Sequence, residues 1–434
     1  MFFGAWTDQA PSVSYGMKHR PPRLPSSSSS SCSDTATSEP QPCPKPEFWR
    51  IRDIHVDNRG EALEWLHEQS KGRATYTIAG YDSFRRSLCG TFTTAKYCKQ
   101  PVPPRPSWHV DKTFIGITPL YDPPNATVDL LAVTGLGGHA LGSFRDQDNG
   151  TTVWLRDFAP QDIPRARIMT YGYETRVIGS ESTQGVEALA QTLLRTLASF
   201  RQRTKTSDRP LVILAHSLGG IIVKEALVQS ERTAGTDNSD LHDVLLSTRG
   251  LVLMGVPTLG LNHECLRTVV AGRPNAQFIS DLLQTDGKPS SFLNRLTQDF
   301  ARLCRAWPWK VITFYETEKS ATIEEINQVH SAWRDQPYFA GSRSMQWAGQ
   351  TVFQMTGPKV LMVDRESAER VTHEYRELDH HPSPTDHRGL VRFDHAADDR
   401  YQSMIRETRR IMGPLMYPEA LQLPYSPDSS IDSD

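Results

Sequence analysis

A serine with small neighbours lies between two apolar segments, in LVILAHSLGGIIV from residue 211 to residue 223. The apolar run before it predicts a buried strand, and the apolar residues after it predict a helix. A turn this tight is strained and leaves room only for tiny residues two positions either side of the serine, here Ala215 and Gly219. We therefore predict that Ser217 is a nucleophile. The alternative is an inert serine in a glycine-rich turn.

A nucleophilic serine needs two backbone N–H groups to stabilise the negative charge of its tetrahedral intermediate. Leu218, directly after the serine, is expected to supply one. The second is expected from the loop TGLGGH at residues 134–139, which follows the apolar run Val128–Val133, with Leu136 as the donor. That loop could instead be only a tight turn. It lacks the glycine and lysine spacing of nucleotide-binding loops, so we expect no nucleotide there. We expect no cofactor.

The serine hydroxyl also needs a histidine to take its proton and a carboxylate to orient that histidine. When the serine lies in an elbow of this type, the acid follows it in the chain and the histidine comes last. Glu316, after the apolar run Lys310–Tyr315, is the predicted acid. Asp364, which ends Lys359–Val363, is the runner-up.

The histidine is expected in the loop between the last strand and the closing helix. His380, His381 and His387 are the candidates, and His395 is a weaker fourth. His387 is favoured because the apolar residues Leu390–Phe393 would anchor it just downstream. The histidines of this region include no helix-spaced pair with a nearby carboxylate, so we expect no metal site.

The elements that would position these residues are short apolar runs alternating with amphipathic segments. Six runs read as strands: Val128–Val133, Arg167–Tyr171, Leu211–Ala215, Gly250–Met254, Lys310–Tyr315 and Lys359–Val363. One helix is predicted by the apolar face of residues 186–200, and a last helix begins near Tyr401 and is expected to stop at Gly413-Pro414. Runs that are apolar throughout are typical of parallel strands covered on both faces, so the predicted fold is a doubly wound, mostly parallel α/β sheet.

Composition divides the chain into four predicted parts. Residues 1–46 are rich in serine and proline and are expected to be disordered, as is the acidic tail at 417–434. Residues 47–112 read as a small α+β block with a proline-rich linker. Residues 113–416 form the α/β domain.

Charge and hydropathy narrow the function classes. The chain has 434 residues with 48 basic and 50 acidic side chains, which argues against a polybasic surface for nucleic acid. It contains no apolar run long enough to span a bilayer, no secretory signal at its start and no C-x-x-C pair among six cysteines. We expect an intracellular, cytoplasmic protein without zinc.

The motifs also carry a family resemblance. Seven segments follow one another between Thr113 and Met412. In order, they are VDLLAVTGLGGHALGSF, RIMTYGY, AHSLGG, GLVLMGVPTLG, FYETE, VDRESA and DHRGLVRFDHAADDRY. They resemble the lipase-like serine esterase branch of the α/β-hydrolase superfamily, of the fungal type, which is related to serine-active-site proteins of phosphatidylglycerol remodelling. The resemblance implies an α/β-hydrolase fold with Ser217 as nucleophile, Glu316 as acid and His387 as base. Thr134 and Ala215 depart from it, where the family usually has histidine and glycine.

Three functions remain open at this point. The first is a serine hydrolase that cleaves a carboxylic ester, plausibly of a lipid, with Leu259–Leu293 as a cap over the site. The second is a lipid acyltransferase that uses the same serine, and the third is a catalytically silent scaffold in signalling. Peripheral contact with a mitochondrial or endoplasmic reticulum membrane is compatible with the resemblance, and the oligomeric state is left open.

Overall fold

The chain is described here from a computed structural model. The structure describes residues 46–71, 76–80, 86–94, 99–147, 150–177, 179–261, 263, 265–326, 352–354, 356–370 and 379–418. The predicted disordered segment at 1–46 and the tail at 417–434 lie almost entirely outside these ranges. Those two predictions therefore stay predictions.

The first described elements form a small antiparallel sheet covered by one helix. They are β1 (Glu47–His55), α1 (Arg59–Gln69), β2 (Tyr76–Gly80), β3 (Ser87–Thr94) and β4 (His109–Asp111), with the sheet order β2-β3-β1-β4. Trp65 and Leu66 of α1 are buried against Trp49 and Phe92 of the sheet. The side chain of Arg50 crosses to the next element, donating to the backbone oxygen of Ile115 and to Thr118.

A seven-stranded sheet makes up the centre of the fold, in the order β15-β10-β9-β8-β6-β7-β5. Every neighbouring pair in it is parallel except β5 and β7, which are antiparallel. This confirms the predicted doubly wound, mostly parallel sheet. Its strands are β5 (Gly116–Tyr121), β6 (Val128–Val133), β7 (Ala166–Gly172), β8 (Leu211–His216), β9 (Thr248–Met254), β10 (Lys310–Glu316) and β15 (His380–Ser383).

Helices cover both faces of this sheet. The faces have separate apolar cores, one built on residues such as Leu193, Ile222 and Phe300 and the other on Trp154, Tyr401 and Met404. The helices are α2 (Trp154–Asp157), α3 (Ala159–Asp162), α4 (Val186–Arg203), α5 (Leu218–Glu231), α6 (Ser239–Ser247), α7 (Cys265–Val269), α8 (Ala276–Leu282), α9 (Ser291–Ala306), α10 (Arg365–Glu369) and α11 (Asp399–Met416). Among the described residues, no helix is both long enough and apolar enough to cross a bilayer.

The prediction of the last strand was wrong. Lys359–Val363 does not join the central sheet. Its first two residues form β14 (Lys359–Val360), which among the described residues pairs with β11 (Ser320–Ala321). A further pair is formed by β12 (Glu324–Ile326) and β13 (Val352–Gln354). The sheet instead ends at β15, whose sequence HHPS is polar. An edge strand has a single neighbour and need not be apolar on both faces, so the apolar-run criterion missed it.

The predicted end of the last helix was also wrong, since α11 continues past Gly413-Pro414 to Met416. A proline inside a helix removes the N–H that would bond to the carbonyl four residues earlier, here that of Arg410. In this chain Lys310 Nζ donates to the Arg410 carbonyl oxygen, at 3.4 Å. Met412 and Met416 are buried on either side of the proline, and their packing holds the last turn in place.

Candidate active site

Ser217 lies at a sharp turn between β8 and α5. Its backbone has φ 53° and ψ −129°, a left-handed conformation that costs a non-glycine residue free energy. A Cβ at Gly219 would lie 2.5 Å from the carbonyl oxygen of Thr134, and one at Gly220 would lie 2.2 Å from Val256. These close approaches explain the two glycines after the serine. The turn is held by the Ser217 N–H, which donates to the Met254 carbonyl at 2.9 Å.

The structure brings Ser217, His387 and Glu316 together from three separate parts of the chain. Ser217 Oγ lies 2.9 Å from Nε2 of His387, and Nδ1 of His387 lies 2.8 Å from Oε2 of Glu316. Glu316 ends β10, and its side chain is fully buried. Its other oxygen, Oε1, accepts the backbone N–H of Val363 at 2.9 Å. Both oxygens of the carboxylate are therefore fixed.

Backbone contacts on both sides hold His387 in its loop. Its N–H donates to Ser320 Oγ at 3.1 Å, and its carbonyl accepts from Nε2 of His216 at 2.9 Å. Gly255, with φ 56°, follows β9 directly below the ring, where a Cβ would lie 3.1 Å from Nδ1 of His387 and 2.6 Å from Leu390. Sequence reasoning missed these supports. The only sequence signal for them was the position of His216 beside the predicted nucleophile.

His216 is an electrically neutral neighbour of His387. Burial, together with the nearby His387, lowers the pKa of His216 to about 3. Since its Nε2 faces a carbonyl oxygen, we assign the proton of the neutral ring to Nε2. The centroids of the two rings are 4.9 Å apart, so a positive charge on one ring disfavours a positive charge on the other.

The glycine-rich loop at 134–139 passes beside Ser217. A Cβ at Gly135 would lie 2.7 Å from Cβ of Ser217, so only glycine allows this approach. The Tyr173 hydroxyl donates to the Thr134 carbonyl, and Thr134 donates in turn to Ser143 Oγ at 2.6 Å. Within the described part of the chain, the N–H groups of Leu136 and Leu218 have no hydrogen-bond acceptor.

The other residues that the sequence offered as the acid or the histidine make different contacts. Asp364 caps α10 by accepting the Ser367 N–H at 2.7 Å, which makes it a helix cap rather than a partner of His387. His380 and His381 belong to β15 rather than to a loop; the first bonds to Thr313 and the second stacks on Phe314. His395 is exposed.

The predicted cap segment, Leu259–Leu293, contains α7 and α8. Its apolar residues Leu266 and Ile279 are buried in the same core as Leu218, and Leu136 packs against that core. Asn275 donates from Nδ2 to the carbonyl of Val177, in the loop that follows β7. The segment therefore packs against the elements that carry the serine and the glycine-rich loop.

The family comparison matches the part of the chain that contains the serine. Residues 142–283 match the model of the family described as "Putative serine esterase (DUF676)". Residues 142–283 are therefore similar to a family of proteins described as serine esterases. The match includes Ser217 and ends before Glu316 and His387, so it bears on the nucleophile alone. The fungal type stays a prediction.

The chain is also similar to curated proteins over part of its length. The chain is 26% identical over 211 residues to Protein SERAC1 of Bos taurus and 26% identical over 208 residues to Protein SERAC1 of Homo sapiens. Each alignment covers 44% of this chain and 30% of the relative. The chain thus spans less than a third of the length of the curated relatives it matches.

Solved structures are only distantly similar. A protein from Listeria innocua has a TM-score of 0.36 at 11% identity, over 66% of this chain and 93% of its own. The Bacillus licheniformis lipase BlEst2 has a TM-score of 0.30 at 12% identity, over 46% of this chain and 72% of its own. At such scores the fold assignment depends on the sheet topology described above.

Proposed function

We propose that this chain hydrolyses a carboxylic ester through an acyl-enzyme on Ser217, with His387 as base and Glu316 as the acid that orients it. The observation that carries the proposal is the continuous line of hydrogen bonds from Ser217 Oγ to His387 Nε2 and from His387 Nδ1 to Glu316, at 2.9 and 2.8 Å. A serine, a histidine and a buried carboxylate at these distances are the arrangement that activates a hydroxyl.

In the first step, Ser217 Oγ attacks the ester carbonyl carbon while its proton passes to His387 Nε2. The buried Glu316 carboxylate stabilises the imidazolium ion that forms. The N–H groups of Leu218 and Leu136, which are without acceptors in the described residues, would bind the oxyanion. The histidine then gives its proton to the leaving alcohol, and the acyl group stays on the serine.

In the second step, a water molecule attacks the acyl-enzyme while His387 takes its proton. The acid product leaves as the C–O bond to Ser217 breaks, and the proton returns to the serine oxygen. An alcohol in place of water would turn the same enzyme into an acyltransferase. Which acceptor reacts depends on access to the acyl-enzyme.

We propose a lipid ester as the substrate class. The half-buried, apolar Leu136 and Val177 pack against the core that also contains the cap residues. An acyl chain could replace these apolar contacts when the cap moves, because burial of each additional methylene gives about 0.8 kcal/mol. Peripheral contact with a membrane would then deliver the substrate.

The test is turnover of p-nitrophenyl esters with short and long acyl chains by the wild type and by Ser217→Ala. We expect turnover by the wild type, with kcat/KM rising with chain length, and loss of about 10⁶-fold in kcat for the variant. Added alcohol that becomes acylated would identify transfer. Equal rates for wild type and variant, or no turnover by a folded wild type, would overturn the proposal.

A further inference from the structure

Three arginines whose side chains make no hydrogen bond or ion pair with a carboxylate, among the described residues, lie in and beside the loop that carries His387. Arg388 directly precedes and Arg392 directly follows the short 3₁₀ turn Gly389–Val391, and Arg145 directly follows a second such turn, Gly142–Phe144. Among the described residues, none of the three side chains has a hydrogen-bond acceptor or an ion-pair partner. Arg145 and Arg392 are partly buried, and Arg388 is exposed.

Hydrogen bonds and ring contacts connect the segments that contain these two turns. Gln147 donates its N–H to Oδ1 of Asp394 at 2.7 Å, and Trp154 donates from Nε1 to the Val391 carbonyl at 3.0 Å. The Trp154 ring also packs between Phe144 and Phe393. Its centroid lies 6.1 Å from that of Phe144 and 5.6 Å from that of Phe393. Arg145 directly follows the first of these phenylalanines and Arg392 directly precedes the second, so the aromatic contacts hold the arginines in one region.

The nearby carboxylates do not hold the guanidinium groups. Asp146 accepts the backbone N–H groups of Gly150 and Thr152. Asp386 accepts the N–H of Gly389 at 2.8 Å, and the Asp394 carboxylate is the one bonded to Gln147. Burial lowers the pKa of Arg392, the charges of Arg145 and Arg388 lower it further, and the charge of Asp386 opposes this shift. The connected turns thus keep the three arginines in one region, and among the described residues none of their side-chain donors is used in a hydrogen bond.

We propose that Arg145, Arg388 and Arg392 form a binding site for a phosphate group beside the candidate catalytic histidine. A guanidinium group presents its N–H donors in a planar fork that matches the oxygens of a phosphate, and several forks converging on one anion relieve the repulsion among them. The phosphate is either free in solution or carried by the ester substrate. The second alternative rests on the function proposed above.

The binding test needs no turnover. Thermal unfolding is followed during titration with inorganic phosphate at constant ionic strength, for the wild type, Arg392→Gln and Arg195→Gln. Arg195 is an exposed arginine of α4 and serves as a control with the same change of charge. We expect phosphate to raise the Tm of the wild type and of Arg195→Gln but not that of Arg392→Gln. Equal shifts in all three proteins, or none, would overturn the site.

The source of the phosphate is distinguished with two esters that differ only in that group, short-chain phosphatidic acid and the matching diacylglycerol. If the ester carries the phosphate, Arg392→Gln raises KM about tenfold for phosphatidic acid and leaves diacylglycerol unchanged. If the ligand is free phosphate, inorganic phosphate changes the rate on both esters in the wild type alone. Absence of all turnover beside a retained Tm shift would contradict the proposed function and leave the phosphate site standing.

Discussion

The neutral ring of His216 donates a hydrogen bond from Nε2 to the backbone carbonyl of His387, with 2.9 Å between the two atoms. The residue beside the nucleophile thus holds the loop of the histidine that faces the nucleophile. The contact ties the end of β8 to a loop about 170 residues later in the chain. It fixes the backbone of His387 from one side, while Ser320 fixes it from the other.

The first prediction concerns this contact. His216→Phe keeps a ring but removes the donor, so His387 should lose alignment and kcat should fall about 10- to 100-fold with little change in KM. His216→Gln can still offer an N–H and should recover part of the loss. Steady-state kinetics on a p-nitrophenyl ester, with circular dichroism to check folding, measures both. Equal loss in the two variants would show that the donor is not what matters.

The second prediction concerns Gly255 below the ring of His387. Gly255→Ala would place a Cβ 3.1 Å from the ring and 2.6 Å from Leu390, so the ring should move away from Ser217 and kcat should fall. Gly235→Ala is the matched control, because Gly235 also has positive φ but has open space around its Cβ position. Both variants should lose about 1 kcal/mol of stability from backbone strain, and Gly255→Ala should lose more because of its contact with Leu390. A parallel loss of kcat in the control would contradict the steric explanation.

The third prediction separates the two carboxylates that the sequence offered as the acid. Glu316→Gln should lower kcat by about 10³- to 10⁴-fold, because the amide cannot stabilise the imidazolium ion of His387. Asp364→Asn should leave kcat unchanged and cost less than about 1 kcal/mol, since asparagine is also a good helix cap. Ester turnover and thermal unfolding of both variants check this. Comparable kcat losses would show that the acid is wrongly assigned.

The fourth prediction is a pH dependence of stability that arises at Lys224. This buried amine donates to Thr258 Oγ1 at 2.7 Å and faces the Phe300 ring, and burial lowers its pKa to about 7. Between about pH 7 and pH 10 the unfolded chain binds a proton at this amine that the folded chain does not bind. The free energy of unfolding should therefore rise with pH across that window, by up to a few kcal/mol.

Lys224→Met removes this titration while keeping a long apolar stem. Urea unfolding of wild type and variant at several pH values gives the difference between them, in which contributions common to both proteins cancel. The stability advantage of the variant should be largest near pH 7 and shrink toward pH 10. A difference independent of pH would mean that Lys224 keeps an ordinary pKa.

Much of the fold follows from the sequence because five strands of the central sheet, β6 to β10, are buried on both faces and so are apolar nearly throughout. A search for apolar runs misses β15, which is a polar edge strand. It also wrongly predicts a strand of the central sheet at Lys359–Val363. There Val363 is buried and its N–H donates to Glu316, which is a tertiary contact that periodicity does not encode. The same limit applies to the site. Ser217 has a local signature, whereas the supports from His216, Ser320 and Gly255 come from distant parts of the chain.

The most direct test of Ser217 as the nucleophile is covalent labelling of the purified protein by a fluorophosphonate, read by intact mass and peptide mapping. We expect the wild type to gain one adduct, on Ser217, Ser217→Ala to gain none, and Glu316→Gln to be labelled more slowly. A folded wild type that stays unlabelled, or an adduct that persists in Ser217→Ala, would contradict this assignment.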